Sequence, residues 1–166
     1  MILGMSTSAF TLVHVILSLV GIFAGAIVLF GILRGTTREG WTALFLATTI
    51  LTSVTGFFFH AASFGPSHVV GVISLVALAV AVVALYVYRL ARFWRRLYVS
   101  GAVLALYLNV FVAVAQAFQK LPFLQPLAPT QSEPPFVVAQ LVVMAIFIAL
   151  GFVAVKRFHP GTRALA

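Results

Sequence analysis

A chain of 166 residues that is 63% hydrophobic and 7% charged, with mean hydropathy +1.20, has too little polar surface to wrap a core in water. It has no cysteine, which excludes disulfides, thiolate metal sites and iron–sulfur clusters. The net charge of +8 is not a nucleic-acid signature, because the Lys and Arg residues sit between apolar runs and in the C-terminal tail, where they orient a chain against a membrane and meet anionic head groups.

Apolar runs of about 20 residues recur, each long enough to cross the hydrocarbon layer as a helix. They are continuously apolar, whereas a membrane β-barrel requires alternation. The expected fold is all-α: a single transmembrane domain, a polytopic bundle of five membrane helices. The first is expected over residues 9–33, too long and without the basic flank of a signal peptide, and so retained. The others are expected over residues 41–59, 69–90, 97–118 and 136–155. The first connection carries Arg34 and Arg38, and the third carries Arg89, Arg92, Arg95 and Arg96. The tail carries Lys156, Arg157 and Arg163, whereas the second connection has no Lys or Arg and the fourth only Lys120. Basic loops stay in the cytoplasm, so the N-terminus is expected outside and the C-terminus inside. Trp41, Trp94, Tyr86, Tyr88 and Tyr98 are then expected to form an interfacial belt at the inner ends.

The fourth connection, residues 119–135, holds five of the seven prolines. It reads either as a semi-rigid outer lid, with Leu121, Phe123, Leu124 and Leu127 against the surface, or as a plain connector. Small residues recur at helical spacing: Ser18, Gly21 and Gly25 after His14, and Gly71, Ser74, Ala77 and Ala81 after His68. Both stripes read as packing faces. Thr48, Thr52 and Thr55 share a face of the second helix, bonding to backbone carbonyls or across helices.

This topology brings polar groups to similar depth near the outer side. His60 ends the second helix and His68 starts the third. His14 lies roughly 7 Å below the outer edge and Gln140 about 6 Å in, by helical rise. Gln116 is near the outer end of the fourth helix, and Asn109 is on the same face nearer mid-membrane. Polar side chains within a membrane usually turn inward and mark functional sites. Two or three imidazoles over small residues read as a seat for haem b, with His14 and His68 as axial ligands and His60 as alternative ligand or hydrogen-bond partner. Copper or zinc on His14, His60 and His68 is the alternative, and an assembly with no cofactor is another. Gln116, Gln140 and Asn109 would bond propionates, a quinone or water. The plain reading of the same residues is interfacial histidines, a His14 bond across a helix contact, and packing stripes without a ligand. His159 is expected at the opposite face, in solvent.

No HExxH, P-loop or nucleophile elbow occurs. The only acidic residues are Glu39 and Glu133, expected on opposite faces, so hydrolytic or carboxylate-based catalysis and an acidic proton relay are not expected. The stretches Gly40–Phe59 (GWTALFLATTILTSVTGFFF), Leu106–Phe118 (LYLNVFVAVAQAF) and Leu127–Phe136 (LAPTQSEPPF) resemble a group of small bacterial inner-membrane proteins of about this length. The resemblance covers most of the chain. It implies a multi-pass protein of the bacterial inner membrane and carries no activity or site residue. Three functions remain open: a haem- or metal-binding redox protein working with a quinone or outer partner; a non-catalytic subunit of a larger membrane complex or a homo-oligomer; and a small-solute channel or carrier.

Overall fold

The computed structural model describes Ile2, residues 4–59 and residues 65–160. It is all-α. Helix α1 spans Thr7–Leu33, α2 Glu39–Gly56, α3 Pro66–Val82, α4 Phe93–Lys120 and α5 Pro134–Arg157. Four of them (α1, α3 with its extension to Val87, α4 and α5) are long and apolar enough to cross a membrane. Helix α2 has 18 residues and carries buried hydroxyls.

The helix ends follow local chemistry. The Ser6 side chain accepts from the Ala9 N–H and caps α1, satisfying one of the orphan donors of a first turn. After Leu33 the chain turns through Gly35 at φ +72°. The Gly35 and Thr36 N–H groups donate to the Ile32 and Gly31 carbonyls, a left-handed stop that glycine makes cheaply. Pro134 and Pro135 open α5, where the missing N–H groups cost nothing.

Helix α3 departs from the expected continuous run to Leu90. Its last turn widens to a π-helix over Val83–Val87, and Arg89, Leu90 and Arg92 take positive φ. That strained turn lets the buried Leu90 reach the core while four arginines stay at the end of the bundle. The expected second helix also ends early: residues 57–59 form turns rather than helix. Tyr98 is only 2% exposed and packs beside Phe158 at 5.9 Å. It is therefore a core residue, whereas Tyr88 is exposed and stacked on Trp94 at 3.7 Å.

The core joins α1, α2, α3 and α4 through Val28, Phe45, Leu78, Val99 and Leu106. Close approach depends on the small-residue stripes. A Cβ on Gly25 would lie 2.7 Å from Leu106 Cδ1 and 2.8 Å from the Phe45 ring. A Cβ on Gly101 would lie 2.7 Å from the Ala77 carbonyl oxygen, which a side-chain rotation cannot move. Helix α5 is different: of its 24 residues only Gln140 and Ala154 are buried. Its apolar surface is what a lipid-facing helix presents.

Gly101→Ala is expected to destabilise the protein by about 1–3 kcal/mol, the cost of overpacking. Gly40→Ala, with nothing within 4 Å of the added carbon, should be neutral or stabilise by up to about 1 kcal/mol. Denaturant titration in detergent micelles checks both.

Candidate functional site

Helix α2 carries the polar groups that organise the bundle. Of its seven buried residues, five (Thr42, Thr48, Thr49, Thr52 and Ser53) bear hydroxyls. Three neighbouring helices each bring one polar side chain to it. From α1, His14 Nδ1 lies 2.8 Å from Thr55 Oγ1. From α3, Ser74 Oγ accepts from Ser53 Oγ at 3.1 Å. From α4, Asn109 Nδ2 donates to Thr49 Oγ1 at 3.2 Å. Gly21 on α1 makes room for the last of these, since a Cβ there would stand 3.2 Å from the Thr48 and Thr49 hydroxyls and 3.4 Å from the Asn109 amide.

His14 is half-buried in the α1–α2 seam. Its ring meets Phe59 edge-on at 5.1 Å, and Phe10 packs on the same Phe59 at 5.2 Å. The tautomer depends on the bonds around Thr55. The Thr55 hydroxyl donates to the Leu51 carbonyl at 2.7 Å, the back-bond of a helical threonine. With its one hydrogen on a backbone carbonyl, the oxygen accepts from His14 and Nδ1 carries the proton; with the hydrogen turned to His14, the roles reverse. In the first case Nε2 of the neutral ring carries the lone pair, the atom a metal or a donor would address.

His68 is held differently. Its Nδ1 accepts from the Gly65 N–H at 3.1 Å, closing the first turn of α3, so in a neutral ring Nε2 bears the proton. Its ring lies 5.7 Å from Phe57, and Phe57 also fills the space above Gly71, 3.1 Å from a Cβ built there. His14 and His68 are thus both tied to the same end of α2, but through different residues. His60 lies outside the described residues. Among the described residues no three His, Cys, Asp or Glu side chains are grouped to hold a metal ion.

The other expected site residues separate. Asn109 turns inward, as described. Gln140 is 8% exposed and donates through Nε2 to the Phe111 carbonyl at 3.1 Å, tying α5 to α4. Gln140 Oε1 and Thr52 Oγ1 are buried with no partner among the described residues. Gln116 is exposed on α4 and does not share the inward face of Asn109. His159 is exposed near the other end, as expected. The space over Gly21 and Gly25 is filled by α2 and α4 side chains, so the α1 stripe is a packing face. Thr49 and Ser53, absent from the sequence-derived set, make two of the three side-chain bonds between α2 and its neighbours among the described residues. Their spacing of four, one helical turn apart, is the signal that identifies them.

The connection between α4 and α5 folds back on α4. Gln131, at φ +60°, donates through Nε2 to the Ala115 carbonyl at 2.8 Å and accepts from Gln119 Nε2 at 3.0 Å. Ala128 is buried, but Leu121, Phe123 and Leu127 point away from the bundle, Phe123 being 70% exposed. The loop therefore seats itself by polar bonds, not by the apolar lid contacts expected. Glu133 caps its end, accepting from the Thr130 hydroxyl at 2.8 Å and from the Thr130 and Ser132 N–H groups at 3.1 Å. Desolvation pushes the Glu133 carboxyl up, but these donors outweigh it and hold it below the ordinary 4.5. No family model, curated protein or solved structure matches the chain.

Thr49→Val removes the acceptor for Asn109 and should cost about 1 kcal/mol of stability, readable by denaturant titration. A carboxyl held below its ordinary value contributes stability that is fully present above that value and lost as pH falls through the folded one. Protection of the Thr130 and Ser132 amides, taken relative to the intrinsic exchange rate at each pH, should therefore fall only below pH 4.5, and Glu133→Gln should remove that acid dependence.

Proposed function

We propose that the chain is a five-helix protein of the bacterial inner membrane, with its N-terminus outside and its C-terminus inside, in which His14 serves as an imidazole ligand to haem b for electron transfer with a quinone or an outer partner. The basic side chains support the orientation: eight of them, Arg34, Arg38, Arg89, Arg92, Arg95, Arg96, Lys156 and Arg157, belong to the end opposite His14. Helix α2, sheltered by its neighbours and about 27 Å long by helical rise, is the fifth span in this reading.

The observation that carries the proposal is the 2.8 Å contact between His14 Nδ1 and Thr55 Oγ1. It engages one imidazole nitrogen and leaves Nε2 for a ligand, the arrangement found where an outer hydrogen bond orients a ligating histidine. Asn109 and Gln140, deeper in the same half, offer polar groups to a quinone or to propionates. His68 joins as a second ligand only by releasing the Gly65 N–H, a loss of about 1 kcal/mol. Copper or zinc would use the same Nε2.

A second reading has its own support. The long apolar face of α5, with two buried residues in 24, and the outward Phe123, Leu121 and Leu127 fit a non-catalytic subunit or a self-associating scaffold as well as they fit lipid.

Protein purified in mild detergent from haem-replete cells is expected to show a Soret band and stoichiometric iron. His14→Ala should abolish the band, Thr55→Val should weaken binding about 10–100-fold, and His159→Ala should leave it unchanged. A colourless, metal-free preparation that retains its helical circular dichroism overturns the redox reading. If that preparation also runs as a defined oligomer by light scattering, the subunit reading replaces it.

A further inference from the structure

At the end of the bundle opposite His14, an open surface groove of about 570 Å³ lies between α1 and α2. Phe23, Ala26, Ile27 and Phe30 of α1 line it, with Trp41 of α2 and Arg38 just before α2. Its apolar part follows α1 for seven residues, about 10 Å by helical rise. A cation closes one end, and the rest is hydrocarbon. That division matches an acyl chain continuing into a negatively charged head.

The charged end is prearranged by three contacts. The Arg38 stem lies against Gly31, with Cγ and Cδ 3.3 Å from where a Cβ would stand; any larger residue would push it away. Arg34 is 4.0 Å over the Phe30 ring, adding a second positive charge beside the groove. Trp41 meets Phe23 edge-on at 5.9 Å, which fixes the indole as a groove wall. The Arg38 guanidinium makes no hydrogen bond or ion pair among the described residues, although Glu39 follows it in sequence. A planar guanidinium with open donors suits a phosphate held in bidentate fashion.

We propose that this groove binds one anionic phospholipid, its phosphate on Arg38 and an acyl chain along Phe23, Ala26, Ile27 and Phe30. The proposal is independent of the haem reading, because it uses other residues at the other end of the molecule. Charge complementarity selects the occupant: a zwitterionic lipid fills the apolar part equally well but places its own cation beside Arg34 and Arg38.

Trp41 is the reporter. In a Trp94→Phe background it is the only tryptophan left. Reconstituted into phosphatidylcholine vesicles doped with acyl-brominated lipid, it should be half-quenched at an about fivefold lower mole fraction of brominated phosphatidylglycerol than of brominated phosphatidylcholine. Arg38→Gln should erase that difference and Arg38→Lys should restore part of it. Ala26→Phe, which fills the apolar part, should weaken quenching by both lipids. Equal quenching by the two lipids in the parent overturns the site. So does a preference that survives Arg38→Gln, since it would then belong to the general charge of this face.

Discussion

A helix in hydrocarbon satisfies its own backbone but not its polar side chains, and each of those needs a partner inside the bundle. Here the partners are concentrated on α2. Its Thr49, Ser53 and Thr55 receive Asn109, Ser74 and His14 from α4, α3 and α1. Each such bond is worth only about 0.6 kcal/mol on average in a membrane. Their importance is that they are directional. Apolar packing alone tolerates sliding and rotation, whereas three hydroxyl contacts to three different helices, two on one face of α2 and one on another, fix its neighbours in depth and phase.

The same arrangement explains why five of the seven buried polar side chains among the described residues lie on α2. Its hydroxyls are turned toward protein, and its Leu44, Leu51 and Val54 are exposed. The helix is apolar outside and polar within, the inverse of a water-soluble one. Glycines on the partner helices complete the fit: Gly21 gives room to the Thr48 and Thr49 hydroxyls, and Gly25 gives room to Phe45. The histidine end depends on this hub as well. The Thr55 hydroxyl meets both His14 and the Leu51 carbonyl, so a helix back-bond and an imidazole contact share one oxygen.

Much of this was legible in the residues. Continuous apolar runs define the five helices to within a few residues, and the small-residue stripes are the contact faces. The inward turn of Asn109 and Gln140 also follows from burial logic. The pairings do not. Gln116 shares a nominal face with Asn109 seven residues earlier, yet it is exposed while Phe118 beside it is buried against Phe136. Tyr98 looks interfacial by position, yet Phe158 covers it. The π-helical turn after Val82 has no sequence signature in a run of Val, Ala and Leu, and it leads directly into the positive-φ turn at Arg89 and Leu90. Of the polar groups expected to converge, His14 and Asn109 bond hydroxyls of α2, whereas Gln140 and His68 bond backbone groups; a short threonine can serve both its own helix and a neighbour at once.

Helix α5 stands apart from this network. The hub is made by residues of α1 to α4, all of which precede Lys120. Helix α5 packs mainly on α4, through Gln140 and the Phe118–Phe136 and Tyr107–Phe147 ring contacts, and Ala154 and Phe158 complete the core. Chains emerge from the ribosome in order and their parts fold as they become available. The interhelical bonds of the hub can therefore form before α5 is synthesised, whereas Tyr98 stays uncovered until Phe158 follows it.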